Sequence, residues 1–512
     1  MFQAITTHST FANPQQALED LVTQCEQSIE CATAALFYVS CELDYVAFVN
    51  ELSHRFPLLP FIGCPSMGEV SSELGYQTAS SMLMLFYSDQ IKIKTGVVKG
   101  LATKGELEQK KLIEQALIIS GVNAETKLCW MLSDGLALEG AKITPFFQEA
   151  LPKSAVLYGN AATDNFALVA THQFYCGEVL EGAVPYLLFE GNLAVSSGMT
   201  KVEHSGWERV GDKYPIVSKG HKILKIDGQA AITFVESRFM LHEGMMSVNH
   251  PLAIYDSAQA ETPLYFRDMV AYDEGEGSIE MLYPLPAKCW VQLTHPVVDK
   301  IIETTRQASL SAFSSFPTML KPSVCLWTSC VSRALVLDDK VEQEYQRAFE
   351  GVNCLPVVCG FYGYGEIAPA HKGESAEYHS SATIILLLGE YSEEKLSSLD
   401  AEKQSYRLLL KQVDDLNLEN KTLKQKIAML EVGDYSVNQT DAVRIKAILI
   451  AILHLLKQQQ RAPTSWFKGK SGINYQLLAR SIVSFYQDKE GFSHKQDALS
   501  RFLGKLMREN KK

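Results

Sequence analysis

Two stretches of this chain share one order of residues, and this repetition constrains the fold more than any other feature. Each stretch follows a Leu-Pro pair, opens as a short apolar run, breaks at glycine and reaches Gly-Glu. They are residues 61–69 and 357–366. A continuous apolar run of this length is typical of a strand that is buried on both faces. The sequence therefore predicts one strand-to-turn element that is used twice.

The flanking residues extend the repetition to a unit of strand, helix, strand and further strand. A third, more divergent copy lies between the other two. The predicted elements are 34–39, 45–56, 61–63 and 81–87 in the first copy, 127–132, 140–150, 155–157 and 185–189 in the second, and 324–328, 339–351, 357–359 and 383–388 in the third. Strands joined through helices predict an α/β fold with crossover helices over mixed sheets.

The chain of 512 residues exceeds what a single hydrophobic core serves, so we expect two or three domains. We place soft boundaries near residue 200 and between residues 311 and 321. No basic and apolar leader opens the sequence, and no apolar run is long enough to span a membrane, so we expect a cytoplasmic protein. The 11 cysteines form no CxxC pair, which argues against structural zinc and a disulfide framework.

After residue 390 the sequence changes to a heptad pattern. The a positions are Tyr406, Val413, Asn420 and Ile427, and the d positions are Leu409, Leu416, Leu423 and Leu430. β-branched residues and one Asn at a, with Leu at d, favour a parallel two-stranded coiled coil. A single amphipathic helix lying on the body is the alternative. We predict a dimeric coiled coil over residues 393–432.

The segment after the heptads is basic, whereas the rest of the chain is acidic. From Asp441 onward there are 14 Lys and Arg against 5 Asp and Glu. The aromatic residues of this segment lie in apolar runs such as 482–486, which favours a helical core over base stacking. We predict an all-α docking or output module at residues 433–512, with nucleic-acid binding as the less favoured alternative.

Several motifs resemble the FIST family of bacterial sensory proteins. The C-terminal match is the more specific, and comprises Ser329-Cys-Val-Ser-Arg333, the run from Gly360 to Pro369, and His379. The N-terminal match comprises residues 34–40, 62–64, 68–70, 75–76, 206–207 and 224–230. The resemblance covers roughly residues 15–390. It implies a FIST N-terminal domain at 1–200 and a FIST C-terminal domain at 201–392.

This resemblance implies an intracellular, non-enzymatic sensor of a small ligand. We find no cyclase or kinase motif in the sequence, so we expect the coiled coil to signal to a separate effector such as a histidine kinase. A subset of the family carries haem and senses nitric oxide. The alternative interpretation is therefore a haem b sensor with His379 as axial ligand, and His204, His221 and His250 as competing ligands.

The glycines from Gly360 onward follow the order G-x-x-G-x-G, which is not the dinucleotide order and does not favour phosphate binding. They permit tight turns, or they leave room for a ligand. We place the ligand there, with Tyr362, Tyr364, Glu366, Cys330, Arg333 and Glu69 as candidate binding residues. Cys41 and Cys330 both follow Ser at a strand end. A Cys-dependent hydrolase with His379 as base is a further alternative, although the sequence does not show that Cys330 and His379 meet.

Overall fold

The computed structural model describes residues 2–25, 29–200, 202, 205–238, 249–286, 288–352, 354–371 and 373–391, together with the short strands at 467–468 and 472–473. The chain divides into two compact units, residues 1–399 and 400–512. Except for those two short strands, every element below belongs to the first unit.

The helices follow the chain as α1 (Pro14–Thr23), α2 (Tyr45–Arg55), α3 (Glu106–Ile119), α4 (Gly140–Ala150), α5 (Ala231–Glu236), α6 (Val298–Ser315), α7 (Val331–Leu337) and α8 (Val341–Ala348). The first strands are β1 (Gln3–Ser9), β2 (Ala34–Ser40), β3 (Phe61–Ser66), β4 (Glu69–Ser71), β5 (Gly75–Gln77), β6 (Ser81–Tyr87), β7 (Lys92–Val98), β8 (Thr126–Ser133), β9 (Val156–Ala161), β10 (Gln173–Tyr175), β11 (Glu178–Leu180), β12 (Val184–Glu190) and β13 (Leu193–Met199).

The later strands are β14 (Trp207–Lys219), β15 (Lys222–Ile226), β16 (Gln229–Ala230), β17 (Leu252–Tyr255), β18 (Tyr265–Arg267), β19 (Met269–Asp273), β20 (Ser278–Met281), β21 (Trp290–Pro296), β22 (Val324–Cys330), β23 (Val357–Gly363), β24 (Glu366–Pro369), β25 (Ala376–His379) and β26 (Thr383–Glu390). The second unit contributes β27 (Phe467–Lys468) and β28 (Gly472–Ile473), which pair antiparallel.

Three six-stranded sheets each contain one copy of the predicted repeat. The first sheet has the order β1-β6-β2-β3-β10-β11, the second β7-β12-β8-β9-β24-β25, and the third β13-β26-β22-β23-β4-β5. In each sheet the first two strands of the repeat are parallel, and the last strand of the repeat pairs antiparallel with the first. The three-copy repeat and the mixed sheets are therefore confirmed.

The outer hairpin of each sheet comes from a different repeat. Hairpin β4–β5 follows the parallel pair of the first repeat but adds to β23 in the third sheet. Hairpin β10–β11 of the second repeat adds to β3 in the first sheet, and β24–β25 of the third repeat adds to β9 in the second sheet. The three repeats thus exchange hairpins in a closed cycle.

One glycine marks the same position in all three parallel pairs. A Cβ atom at Gly63, Gly159 or Gly360 would lie 1.8, 2.0 or 2.6 Å from a carbonyl oxygen of the neighbouring strand. Those oxygens belong to residues Phe37, Met131 and Trp327. Because only glycine permits such close approach of two backbones, these contacts fix the register in which the repeats are compared below.

The inner faces of the three sheets share one core. Side chains from all three sheets meet there, and Tyr38 of the first sheet lies 4.4 Å from Phe361 of the third, between ring centroids. The opposite faces of the sheets pack against helices. In the first sheet Ala35, Phe37 and Val39 contact the apolar faces of α1 and α2. These strands are buried on both faces, which explains their nearly continuous apolar sequences.

A fourth, eight-stranded antiparallel sheet is inserted between the second and third repeats. Its order is β18-β17-β21-β14-β15-β20-β19, with β16 beside β15. A tight turn at Asp227-Gly228 joins β15 to β16, and both residues have positive φ, 51° and 78°. This sheet carries Arg267 and leads into Asp268, which are important for the site described below.

The α/β prediction with mixed sheets is confirmed for the first unit. The predicted coiled coil at 393–432 lies outside the described residues, as does almost all of the predicted all-α module at 433–512, where only the short β27–β28 pair is described. Strands from both sides of residue 200 share two sheets, while the domain division at that residue stays a prediction. Within the described residues, no helix has the length and apolar character needed to cross a membrane.

Candidate functional site

The first residue of each exchanged hairpin occupies one equivalent position in the three repeats. Glu69 lies opposite Phe361 at the start of β4, and Glu366 lies opposite Asn160 at the start of β24. The register of β10, in which Phe174 lies opposite Gly63, places Gln173 at the same position in the second repeat. All three side chains are buried. What distinguishes the three positions is how each of these buried side chains is hydrogen-bonded.

In the first repeat the carboxyl group of Glu69 is fully hydrogen-bonded. The hydroxyls of Ser66 and Ser80 bind its two oxygens. His8 continues this network, with Nε2 2.9 Å from Ser80 Oγ and Nδ1 2.8 Å from Ser71 Oγ. Burial raises the pKa of Glu69 to about 8 and lowers that of His8 to about 4. Both side chains are therefore mainly uncharged at neutral pH.

In the second repeat the equivalent residue is Gln173, and the nearby carboxyl group is that of Asp134. Both oxygens of this carboxyl group accept hydrogen bonds. Asp134 accepts hydrogen bonds from Thr171 Oγ1 at 2.7 Å and from the backbone amide of Gly182 at 2.9 Å. Gln173 donates to it through Nε2 at 3.3 Å and accepts from the amide of Ala183. Further amides that bind Asp134 Oδ1 are those of Leu136 and Ala137.

In the third repeat Glu366 is only partly satisfied. The amide of Ala382 donates to Glu366 Oε2 at 3.2 Å, whereas Oε1 has no hydrogen-bond partner among the described residues. Burial raises the pKa of Glu366 well above its usual value, and the nearby Asp268 acts in the same direction, while Arg333 opposes both. This is the one of the three equivalent positions that leaves a buried carboxyl oxygen unpartnered.

Unpartnered buried charges are concentrated around this third position. Among the described residues, the buried Asp, Glu and Arg side chains with an unpartnered polar atom are Glu366, Asp268, Arg267 and Arg333. Asp268 acts on the pKa of Glu366, and Arg267 acts on the pKa of His379, which pairs with Glu366 across β24 and β25. We call Glu366, Asp268, Arg267, His379 and Ser380 the third-repeat polar site.

Cys330 lies beside this site at the end of β22. Its thiol accepts a hydrogen bond from Ser332 Oγ at 3.2 Å, and a second hydrogen bond joins the hydroxyl oxygens of Ser332 and Ser381. Burial, followed by the carboxyl groups of Glu366 and Asp268, raises the pKa of the Cys330 thiol. Counting from the equivalent glycines, Cys330 corresponds to Ser40 and Asp134, so Cys41 lies one residue beyond the equivalent position, although both cysteines follow a Ser in the sequence.

The turn before the last strand is also repeated. Ala79, Gly182 and Ser381 have φ values of 49°, 59° and 57°, and each lies two residues before the last strand of its repeat. Since left-handed backbone recurs in all three copies, it belongs to the architecture and does not mark a ligand site. The same alignment places Thr78 of the first repeat at the position of Ser380.

The glycine-rich run does not leave the open space that the sequence suggested. A Cβ atom at Gly363 would lie 2.3 Å from the carbonyl oxygen of Ala161, and one at Gly365 would lie 2.0 Å from the Tyr378 hydroxyl. Together with Gly360, these glycines admit neighbouring backbone and the Tyr378 side chain. The expected room for a ligand beside Tyr362 and Tyr364 is therefore occupied by protein.

The other sequence-predicted residues lie in separate networks. Tyr362 donates to Glu344 at 2.7 Å, and Arg333 pairs with the same carboxylate at 2.6 Å. The Tyr364 hydroxyl binds Asp164 and accepts from the amide of Phe166 at 2.7 Å. Of the predicted ligand-binding residues, the structure thus brings Cys330 and Glu366 together beside His379, and separates them from Glu69.

A small cavity adjoins the third-repeat polar site. It encloses about 10 Å³, the space of one water molecule. Its walls include Ser380, whose Oγ has no described partner, and Ala382, whose amide binds Glu366. The remaining lining residues are Thr200, Val202, Ser205, Tyr265, Phe266, His379 and Ser381. A ligand larger than water requires this cavity to widen.

The surroundings of His379 do not fit haem. His379 Nε2 is hydrogen-bonded to the carbonyl oxygen of Ala368 at 2.9 Å, and the cavity that His379 lines is far smaller than a porphyrin. Of the competing histidines, His250 Nδ1 lies 2.9 Å from the carbonyl oxygen of Thr294, and His221 lies at the turn between β14 and β15. His204 is outside the described residues.

The sequence alone does not identify Arg267, Asp268 and Ser380 as site residues. Arg267 and Asp268 lie in a polar stretch of the sequence that contains none of the motifs discussed above. The proximity of Asp268 to Glu366 and of Arg267 to His379 depends on contacts across about a hundred residues, for which one sequence contains no signal. Ser380 differs, since it directly follows His379 and alignment of the repeats would have identified it.

The FIST N domain model matches residues 33–229, and the FIST C domain model matches residues 232–369. Among solved structures, cyanuric acid hydrolase from A. caulinodans is similar with a TM-score of 0.31 and 7% identity, over 77% of this chain and 100% of that one. No curated protein matches in sequence. FIST domains are small-ligand sensory domains of signalling proteins. Because the two domain models together match more than half of its residues, the chain belongs to the FIST family.

Proposed function

We propose that this protein senses a small ligand at the third-repeat polar site and passes the result to a separate signalling protein. The observation that carries the proposal is the difference between three equivalent positions. Glu69 and the Asp134–Gln173 pair are fully hydrogen-bonded within the protein, whereas Glu366 Oε1 has no partner in the part of the chain that the structure describes. Because the protein supplies hydrogen-bond partners for the equivalent side chains of two repeats, the same architecture is able to supply them in the third. We therefore propose that the partner of Glu366 Oε1 comes from a ligand.

Burial makes an unpartnered polar atom costly for the folded protein. A buried donor or acceptor without a partner costs about 1–3 kcal/mol, and more when the group is charged. Glu366, Asp268 and Arg267 each keep such an atom. A ligand that hydrogen-bonds to these atoms stabilises the conformation that presents them to it, and this preference for one conformation is what a sensor requires.

A non-enzymatic role agrees with the chemistry of Cys330. The thiolate is the reactive form of cysteine, and burial together with two neighbouring carboxyl groups raises the pKa of this thiol. His379 Nε2 is engaged by the Ala368 carbonyl oxygen. Neither observation favours a Cys330–His379 nucleophile and base, so we propose a binding protein.

We further propose that the predicted coiled coil at residues 393–432 makes the protein a homodimer and connects the sensor to its effector. The support is the heptad pattern, with Asn420 at an a position as a determinant of register. A histidine kinase is the effector class that the family resemblance implies.

Thermal unfolding of the full chain in the presence of a small-metabolite collection tests the ligand site. We expect ligands to raise the Tm of wild type, because they bind only the folded state. Ser380→Val removes the unpartnered hydroxyl and fills the water-sized cavity, so it should abolish the shift. Thr78→Val, at the equivalent exposed position of the first repeat, is the matched control and should retain it. A compound that stabilises Ser380→Val as strongly as wild type would place the ligand elsewhere.

A further inference from the structure

Arg267 is a buried cation that has no acidic partner among the described residues. Its residue is 4% exposed, on β18 at the edge of the eight-stranded sheet. Nη1 donates to the carbonyl oxygen of Phe266 at 2.9 Å, and Nε has no partner. Within the described part of the chain Arg267 forms no ion pair, and its guanidinium lies over the Tyr265 ring, 3.8 Å from the centroid. Tyr265 in turn lines the small cavity.

Arg333, the other buried arginine, shows how this fold neutralises such a charge. Glu344 lies 2.6 Å from Arg333 and pairs with it, and Thr305 Oγ1 and the carbonyl oxygen of Ile301 accept two further hydrogen bonds. Moving a charge from water into a protein interior costs several kcal/mol unless an opposite charge and hydrogen bonds compensate for it. The Arg333 charge is compensated in this way, and the Arg267 charge is not.

The acidic side chains near Arg267 do not replace the missing partner. Among the described residues Asp268 Oδ1 has no hydrogen-bond partner, and burial raises the pKa of Asp268 to about 7, although the neighbouring Arg267 acts to lower it. Burial likewise raises the pKa of Glu366. Burial thus favours the protonated form of both carboxyl groups, in which they donate hydrogen bonds and bring no negative charge to Arg267. With the Arg267 Nε–H and the Ser380 hydroxyl, the site presents mainly donors and a positive charge.

We propose that the ligand carries a carboxylate group, and that Arg267 and Ser380 bind this group. The inference rests on the ligand site proposed above and names the chemistry of its ligand. A carboxylate supplies the anion that Arg267 lacks, and its acceptor oxygens match the planar guanidinium. It is also more compact than a tetrahedral phosphate, which suits a cavity that starts at the size of water.

The experiment is titration of the full-length protein with sodium formate, sodium acetate and inorganic phosphate, against sodium chloride at equal ionic strength and pH. Binding is followed by calorimetry and by the Tm. We expect formate or acetate to raise the Tm of wild type above the chloride value and phosphate to have no such effect. Arg267→Met should weaken carboxylate binding about tenfold or more, because a charge-assisted contact is lost. Arg209→Gln, at an exposed position of the same sheet, should bind as wild type does.

Arg267→Met has a second expected result. Without added carboxylate its Tm should be no lower than that of wild type, since an uncompensated buried charge is removed and the long apolar side chain is kept. If Arg267→Met fails to fold, Arg267→Lys serves in its place. It keeps the charge but loses the planar two-donor geometry, and we expect its carboxylate affinity to fall as well.

Three results overturn the carboxylate inference. They are equal stabilisation of wild type by chloride and the carboxylates, equal carboxylate binding by wild type and the Arg267 variants, and stabilisation by phosphate alone. If uncharged metabolites bind wild type and Ser380→Val abolishes their binding, the carboxylate inference fails while the proposed ligand site stands. If Ser380→Val leaves every Tm shift unchanged, the proposed site itself fails.

Discussion

Glu69, Gln173 and Glu366 show how one position of a repeat acquires three environments. Serine hydroxyls bind Glu69, a neutral glutamine replaces the acid in the second repeat, and the acid of the third repeat keeps an unpartnered oxygen. Glutamine in the second repeat indicates that the position requires hydrogen bonding and not negative charge. At the residue scale, this suggests that Glu69 also acts as a neutral group.

We predict that Glu69→Gln stabilises the protein increasingly as the pH rises from about 5 to 9. The pKa of Glu69 is raised to about 8 by burial, so the folded state holds a proton that the unfolded state releases near the ordinary value of 4.5. Stability from this proton is complete below about pH 4.5 and is lost as the pH rises through 8. The loss is on the order of a few kcal/mol, and glutamine removes it.

Urea unfolding of wild type and Glu69→Gln at several pH values measures this difference. Glu73→Gln is the matched control, because Glu73 lies exposed in the same hairpin. Its effect should not change with pH. A Glu69→Gln effect that is constant across the range would show that Glu69 is ionised in the folded protein.

At this scale the sequence predicted the equivalence of Glu69 and Glu366, because both end the same apolar and glycine-containing run. It did not predict Gln173, since the loop from residue 162 to residue 172 separates Gln173 from its parallel pair, whereas two residues suffice in the other repeats. The partners of these side chains depend on register between distant strands, which the composition of one strand does not determine.

At the scale of elements, the buried Arg333–Glu344 pair joins α6, α7, α8 and β23. Arg333 lies on α7 and Glu344 on α8, with Thr305 of α6 and Tyr362 of β23 completing the network. The sequence predicted Arg333 and Tyr362 as ligand-binding residues. The contacts of both side chains hold these four elements together. Their positions in family motifs are equally compatible with this structural role and with ligand binding.

We predict that Glu344→Gln lowers the free energy of unfolding by about 3–5 kcal/mol, because it leaves the Arg333 charge buried without a counter-charge. Replacing both partners, as Arg333→Met with Glu344→Leu, should recover most of that loss. The exposed pair of Arg347 and Glu350 provides the control, and Glu350→Gln should cost less than about 1 kcal/mol. Urea unfolding monitored by circular dichroism measures all three. A Glu344→Gln loss no larger than that of Glu350→Gln would mean that the Arg333 charge is compensated elsewhere.

The sequence predicted the repeated strands well and the connecting elements less well. Apolar runs identify buried strands directly, so β2, β8 and β22 lie where expected. The predicted helix at 339–351 is observed as α8, Val341–Ala348, after a separate helix α7 that the sequence did not predict. Because α7 is short and almost entirely buried, it lacks the polar face by which helical periodicity is recognised.

For the whole molecule, the closed exchange of hairpins was not predictable. The sequence shows three similar units, and strands that follow one another usually pair within one unit. Here β4, β10 and β24 each leave their own sheet. The FIST N match ends at residue 229 and the FIST C match begins at residue 232. Two of the six-stranded sheets contain strands from both sides of this boundary.

We predict that the full chain is a dimer held by the heptad segment. Leu416→Glu with Leu423→Glu places charges at two d positions and should halve the molar mass to that of one chain, 56.9 kDa. Gln425→Glu, at an outward f position of the same heptads, should remain dimeric. Light scattering after size-exclusion chromatography measures both. Persistence of the dimer in the double variant would place the interface outside the heptads.

The exchanged hairpins also bear on how such a chain arises. In this closed cycle each repeat adds its hairpin to the sheet of another repeat, and identical repeats are able to do the same. Three separate copies of a single repeat would therefore assemble as a homotrimer by the same exchange. Fusion of three copies into one chain preserves the ring and releases each copy from being identical. Two copies are then able to acquire internal hydrogen bonds that stabilise the fold, while the third copy retains unpartnered polar atoms that a ligand is able to bind.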